Sequence, residues 1–264
     1  MSYQRKKISA LIITYNEIGY IEQCINSVSF ADEIVVVDSY STDGTYEYLA
    51  NHPKIKVIQH PFSNFTAQKA FTLKQATNDW VLFLDADEVV SDQLREEIVQ
   101  TVNNNEEFAA FWFYRNFMFQ NTPLRFSGWQ TDKNYRLFRK SKAKFSDKKI
   151  VHETLDVNGK SGILSEKLTH FCYKSYEDYK NKMIKYGRLK AKESFYREKR
   201  FNYFSFIFKP VWKFFNHYVL RLGFLDGKNG MIICYLNALG DLERYRELKK
   251  LEKKNELAYY LVMP

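Results

Sequence analysis

The stretch that most restricts the fold is Trp80 to Val90, WVLFLDADEVV. Val81 to Leu84 form an unbroken apolar run with aromatic and β-branched members, and the run then meets Asp85-Ala86-Asp87-Glu88. An apolar run bounded by charge in this way predicts a strand buried on both faces. The carboxylates then lie just past its C-terminal end, where open α/β sheets place their ligands. Asp85 and Asp87, two apart in an extended segment, point the same way. Two hard oxygen donors on one side suit Mg²⁺ or Mn²⁺, which bind through one or two carboxylates together with substrate phosphates. A competing use of the same residues is a helix start, with Ser91-Asp92 capping a helix over Gln93 to Val102 and Glu88 or that pair serving it.

Upstream, strand and helix patterns alternate. Ile8 to Thr14 reads as a buried strand ending in Tyr15-Asn16-Glu17, followed by a helix over Tyr20 to Ser29 with Ile21, Ile25 and Val28 near helical spacing. Glu33 to Val37 is the next strand, and Asp38 to Thr45 is a loop rich in turn and capping residues. A helix over Thr45 to Ala50, a strand over Lys56 to Gln59 and a helix over Phe65 to Ala76 lead to Trp80. This spacing predicts βαβ units and a parallel sheet flanked by helices. Three polar strand ends, 14–17, 38–45 and 85–88, then converge on one sheet edge.

These strand ends carry a resemblance. TYNE after the first strand, DSYSTDGT after the second and LDADE after the fourth resemble a family 2 glycosyltransferase of the GT-A fold, and Phe65 to Lys74 is similar to the helix before that family's acidic motif. The later blocks GWQTDKNYRLFRK, KIVHETL and LGFLDGKNG resemble the branch that adds sugars to the lipopolysaccharide core. The resemblance implies a metal-dependent, inverting transfer of a hexose from a nucleotide sugar, UDP-linked, to a saccharide or glycolipid acceptor. It implies that Asp38 accepts hydrogen bonds from the uracil or ribose edge, with Thr14, Tyr15, Asn16 and Glu17 lining that pocket. Asx-turn and helix-cap chemistry is the structural alternative for Asp38 and Asp43. Asp85 and Asp87 would hold Mn²⁺ or Mg²⁺, the later aspartate more directly and the first reaching ribose or metal-bound water. Lys69 is a candidate for the diphosphate, and a solvated helix lysine is its alternative. Arg136 and Arg139 are candidates for clamping the diphosphate or an anionic acceptor, or else sheet-edge charges. Glu153 is expected as the general base with Asp132 as runner-up, and His152 as a metal ligand or phosphate contact.

Hydrophobic residues make up 45% of the 264 and Gly plus Pro only 15 residues, which excludes a disordered chain. Cys24, Cys172 and Cys234 share no metal or redox spacing, which fits a reducing compartment. The apolar run after MSYQRKK stops at Asn16-Glu17, so it reads as a first strand rather than a signal peptide, and no apolar run is long enough to span a membrane. The chain therefore reads as cytoplasmic.

The basic character belongs to the C-terminal third. Lys174 to Lys254 holds 20 Lys and Arg against 9 Asp and Glu, whereas the remainder is near balance. Residues 1–172 are expected as the GT-A catalytic domain and 173–264 as a helical, basic and aromatic extension. Ser175 to Arg200 reads as a helix, and Phe201 to Leu222 interleaves aromatics with Lys209, Lys213 and Arg221 around Pro210. That pattern fits a peripheral helix on the inner face of the cytoplasmic membrane, or aromatics packed on the protein or a second subunit. No nucleic-acid module is visible. Helices are expected over Ile232 to Leu239 and again over Leu242 to Lys254. A sugar-nucleotide-binding or membrane-tethered scaffold would suit the same fold, but a scaffold has no need of Asp85, Asp87 and Glu153 together. LDADE also resembles the motif of aspartate-nucleophile phosphotransferases, which normally lies near the first strand and continues with Gly-Thr.

Overall fold

The computed structural model describes residues 5–129, 131–146, 154–173 and 175–262. The chain forms two compact units, one of residues 1–116 with 131–171 and the other of 117–130 with 172–264. It begins β1 (Ile8–Thr14), α1 (Ile21–Ser27), β2 (Glu33–Asp38), α2 (Thr45–Ala50), β3 (Ile55–Gln59), α3 (Phe65–Lys74) and β4 (Trp80–Asp85). A short β5 (Glu88–Val89), α4 (Asp92–Asn104), the long β6 (Phe108–Phe119), β7 (Thr122–Leu124) and β8 (Lys133–Arg139) follow. Next come β9 (Ala143–Ser146), β10 (Thr154–Val157), β11 (Lys160–Ile163) and β12 (Leu168–Tyr173). The helices α5 (Tyr176–Tyr196), α6 (Tyr203–Phe215) and α7 (Gly227–Val262) complete the chain.

In the first unit the strands lie in the order β3-β2-β1-β4-β8-β6. The first four are parallel, while β8 runs antiparallel to both β4 and β6. All seven residues of β1 are buried. Ile8, Ala10 and Ile12 pack in a layer with Ile21 and Ile25 of α1 and Leu94 and Ile98 of α4. Leu11 and Ile13 face the opposite layer with Leu73 of α3. Burial on both faces is why these strands read as continuous apolar runs rather than alternating ones. The strand ends at Asp85, and Ser91, not Glu88, caps α4 by accepting from the Leu94 N–H at 3.2 Å.

In the second unit the end of β6 pairs with β7. Phe117, Phe119, Leu124, Tyr179, Ile233 and Leu236 form its core. The Asp226 carboxylate accepts from the backbone N–H groups of Arg125 and Phe126, each at 2.9 Å, so the LGFLDG turn is tied to the hairpin. The two helices expected over 232–239 and 242–254 are one, α7, which runs through Gly240. Gly240 lies at a close helix crossing. A Cβ placed on Gly187 of α5 would lie 2.5 Å from the Gly240 carbonyl, and one on Gly240 would lie 3.2 Å from the Met183 carbonyl. Gly187→Ala is therefore expected to push α5 and α7 apart at a cost of about 1–3 kcal/mol. A chemical-denaturation midpoint followed by circular dichroism checks this, and an unchanged midpoint would contradict so close a crossing.

Candidate active site

Strand register brings the three polar ends level. Thr14 is opposite Asp38 in the β1–β2 pair, and Ile13 is opposite Asp85 in the β1–β4 pair. The first two loops are laced together. Asn16 adopts a left-handed φ of 56°, its N–H donates to Ser41 Oγ at 2.9 Å, and its Oδ1 accepts from the Thr42 N–H at 2.8 Å. The Glu17 N–H donates to Thr45 Oγ1 at 2.9 Å, and its carbonyl accepts the N–H groups that open α1. Tyr15 projects outward, whereas Thr14 is buried with an Oγ1 that finds no hydrogen-bond partner among the described residues. Asp38 is fully buried. Its Oδ2 accepts from the Ser41 N–H at 3.0 Å and its Oδ1 from Ser41 Oγ at 2.5 Å, so its carboxylate closes an Asx-type turn instead of facing outward. Asp43 likewise holds Thr45 at the start of α2.

The acidic motif rests on buried cations. Arg136 of β8 donates Nη2 to Asp85 Oδ2 and to Glu88 Oε1, each at 2.5 Å. It is 4% exposed, so Arg136, expected as a diphosphate clamp, instead supports the motif from within. Glu88 is fully buried and also accepts the Asp85 N–H at 3.0 Å, fixing the turn that aims Asp85. Lys69, on a helix and expected to be solvated unless functional, is buried with Nζ 3.5 Å from Asp85 Oδ1 and 5.8 Å from the centre of the Phe83 ring. Burial alone would raise the Asp85 carboxyl, but the Arg136 guanidinium, then the Lys69 ammonium and His170, outweigh it and hold the group well below the usual carboxylate range.

Asp87 meets a histidine. The Phe171 N–H donates to the Asp87 carbonyl at 2.8 Å, β12 pairs with β5, and His170 Nε2 comes to 3.3 Å from Asp87 Oδ2. Arg115 Nη1 stands 3.4 Å from the other ring nitrogen, Nδ1. Arg115 in turn holds Asp132, donating Nε to Oδ2 at 2.8 Å and pairing through Nη2 as well. Asp132 is thus joined to Asp87 through Arg115 and His170. Glu153 and His152 lie outside the described residues. Arg139, a candidate for the diphosphate or else a sheet-edge charge, lies away from the acidic motif. It is opposite Trp80 in the antiparallel register, with its guanidinium 4.7 Å from that ring's centre and 3.8 Å from Asp79, at the end of β4 remote from Asp85.

Asp85 and Asp87 keep 29% and 21% of their side-chain surface exposed. Two accessible hard carboxylates, oriented from behind by hydrogen-bonding partners, fit a divalent ion that completes its shell with phosphate oxygens and water. Among the described residues no group of three or more His, Cys, Asp or Glu stands ready to hold an ion unaided. Beneath the motif, burial and then the charges of Glu88, Asp87 and Asp85 push the Cys24 thiol well up. Cys24 is therefore expected to resist alkylation in the native protein near pH 8. Peptide mapping checks this, and native labelling as fast as in the unfolded chain would contradict it.

Residues 9–157 match the family model described as Glycosyl transferase family 2. The chain belongs to that family. This family 2 glycosyltransferase is 32% identical to an uncharacterized glycosyltransferase of Rickettsia felis, covering 96% of this chain and 94% of the relative. It is 28% identical to the lipopolysaccharide core biosynthesis glycosyltransferase LpsC of Rhizobium meliloti, over 90% of this chain and 93% of that one. Among solved structures, S. aureus TarS 1-349 aligns with a TM-score of 0.46 and 18% identity, over 94% of this chain and 92% of that one. The glycosyltransferase's helix-flanked α/β sheet is of the GT-A type, with a helical C-terminal region.

Proposed function

We propose that this glycosyltransferase moves a hexose from a UDP-sugar, with inversion, to a saccharide acceptor of lipopolysaccharide core or another cell-envelope glycan. On this reading it works as a peripheral protein at the inner face of the cytoplasmic membrane. The observation that carries the proposal is the pairing of Asp85 and Asp87 at the C-terminal end of β4, each oriented by a partner behind it, Arg136 for one and His170 for the other. The acceptor class rests on similarity to LpsC over nearly the whole chain.

Asp87, with Asp85 beside it, would hold Mn²⁺ or Mg²⁺, which when bound neutralises negative charge on a leaving diphosphate. Arg136 and Lys69 keep Asp85 ionised and fixed, so little reorganisation is needed as that charge builds up. The 14–17 and 38–45 loops, locked by Asn16, Ser41 and Asp38, form the wall assigned to base and ribose. In an inverting transfer the acceptor hydroxyl oxygen attacks the anomeric carbon, the bond from that carbon to the diphosphate oxygen breaks, and a carboxylate removes the hydroxyl proton. Glu153 is assigned that last role, with Asp132 as the alternative.

A test is release of nucleoside diphosphate from a panel of nucleotide sugars, with Mn²⁺ and with chelator, in the presence of deacylated core oligosaccharide. Turnover of a UDP-hexose that stops on chelation is expected. Binding of the sugar nucleotide with no turnover on any acceptor would favour a scaffold, and turnover indifferent to chelation would overturn the metal assignment.

A further inference from the structure

Helix α6 carries more apolar surface than packing on its own unit covers. Phe204, Ile207, Phe208, Val211, Trp212 and Phe215 fall at i, i+3, i+4, i+7, i+8 and i+11, one apolar stripe. In a globular domain such a stripe faces inward, but here all six are exposed, from 71% at Phe204 to 44% at Phe215. The opposite flank, with Phe206, buried Pro210, Lys213 and Phe214, is the less exposed one, and the lysines beside it reach α7, with Lys209 Nζ 5.5 Å from the centre of the Tyr245 ring and Lys213 Nζ 3.8 Å from Asp241. Along the outward stripe the rings of Phe204, Phe208 and Trp212 stack in series, with centroids 5.2 and 6.1 Å apart. The stripe continues past the π-helical turn Asn216–Leu220 into exposed Leu220, Phe224 and Leu225. So continuous an apolar surface marks an interaction site.

Charge selects the occupant. From Arg197 to Lys228 there are seven Lys or Arg and only two acids, Glu198 and Asp226. Arg197, Lys199 and Arg200 precede the stripe, Arg221 and Lys228 follow it, and all five are exposed. A second copy of the chain docking stripe to stripe would press these like charges together, whereas an anionic bilayer neutralises them while taking up the aromatics. No helix among the described residues is long and apolar enough to cross a membrane, so the contact is one of lying in the interface. We infer that the outward face of α6 and the turn after it form a docking surface that inserts into the headgroup region of an anionic membrane. This deepens the reading above and rests on it for the acceptor, but the surface itself is legible without any substrate.

The test uses the full chain, no donor and no acceptor. Co-sedimentation with phosphatidylcholine vesicles is compared with vesicles containing one part phosphatidylglycerol in four. Binding to the anionic vesicles, weakened by salt, is expected to fall at least about tenfold in Phe204→Ser/Ile207→Ser/Trp212→Ser. All three side chains lie outside the core, and unchanged circular dichroism would confirm folding. Trp212 should also be quenched by lipids brominated near the headgroup in a variant whose other tryptophans are Phe. No binding to either vesicle, or a concentration-dependent dimer dissolved by the triple substitution, would overturn the inference. Equal binding to both vesicles would overturn the electrostatic half of it. A protein that binds anionic vesicles but transfers no sugar would refute only the proposed activity.

Discussion

Arg136→Ala is expected to destabilise the first unit by about 3–5 kcal/mol, because it strands two carboxylates that share one buried guanidinium. Of these, Glu88 suffers most. It is fully buried, and Arg115, its other cation, is 3.5 Å away. For a chain of this size the loss corresponds to a fall in Tm on the order of 10 °C, measurable by scanning calorimetry. Adding Glu88→Gln should return part of the loss, since the second change removes the uncompensated charge, and a double-mutant cycle reads that coupling. The pH dependence has a definite sign. A carboxylate held low in the folded state, as Asp85 is by Arg136, contributes stability that is present above its unfolded pKa of about 3.9 and is lost as pH falls through the folded value. Without Arg136, acid unfolding should therefore begin at a higher pH. An Arg136→Ala protein with native Tm and an unchanged acid transition would show that the motif does not depend on this pair.

Asp87→Ala is expected to lower kcat on the order of a thousandfold or more, about 4 kcal/mol of transition-state stabilisation, while leaving the fold intact. The asymmetry with Arg136 follows from position. Asp87 keeps part of its side chain exposed at the end of the sheet, whereas Arg136 is buried. Steady-state assays across a Mn²⁺ titration, with circular dichroism on the same samples, separate the two effects. Wild-type turnover in Asp87→Ala would remove this residue from the site.

Much of the first unit was readable because parallel strands buried on two faces leave long apolar runs, and the chain must turn polar where they end at the ligand edge. Val81 to Leu84 followed by Asp85 is the clearest instance. What was not readable depended on pairings distant in sequence. His170 reaches Asp87 only because β12 lies beside β5, and nothing local to Thr169-His170-Phe171 announces it. Glu88 and Arg115 find their ion-pair partners only once β8 and β6 are folded beside β4. Arg139 misled through proximity. Residues three apart on a strand face opposite sides, and antiparallel register carried it to the far end of β4, away from Arg136's partners. The two helices expected over 232–239 and 242–254 are one because Gly240 lies inside a close helix crossing, a contact with α5 that the local sequence does not announce.

The most direct measurement is a thermal-shift titration of the wild-type protein with UDP, with and without Mn²⁺, alongside Asp87→Ala. A ligand that binds only the native state stabilises it by RT ln(1 + [L]/Kd), about 2.7 kcal/mol at a hundredfold excess over Kd. If Asp85 and Asp87 hold an ion that bridges to the diphosphate, UDP should raise Tm by several degrees only when Mn²⁺ is present, and the shift should vanish in Asp87→Ala. An equal shift in chelator, or a folded protein whose Tm ignores UDP under every condition, would contradict a metal-dependent UDP-sugar site at the end of β4.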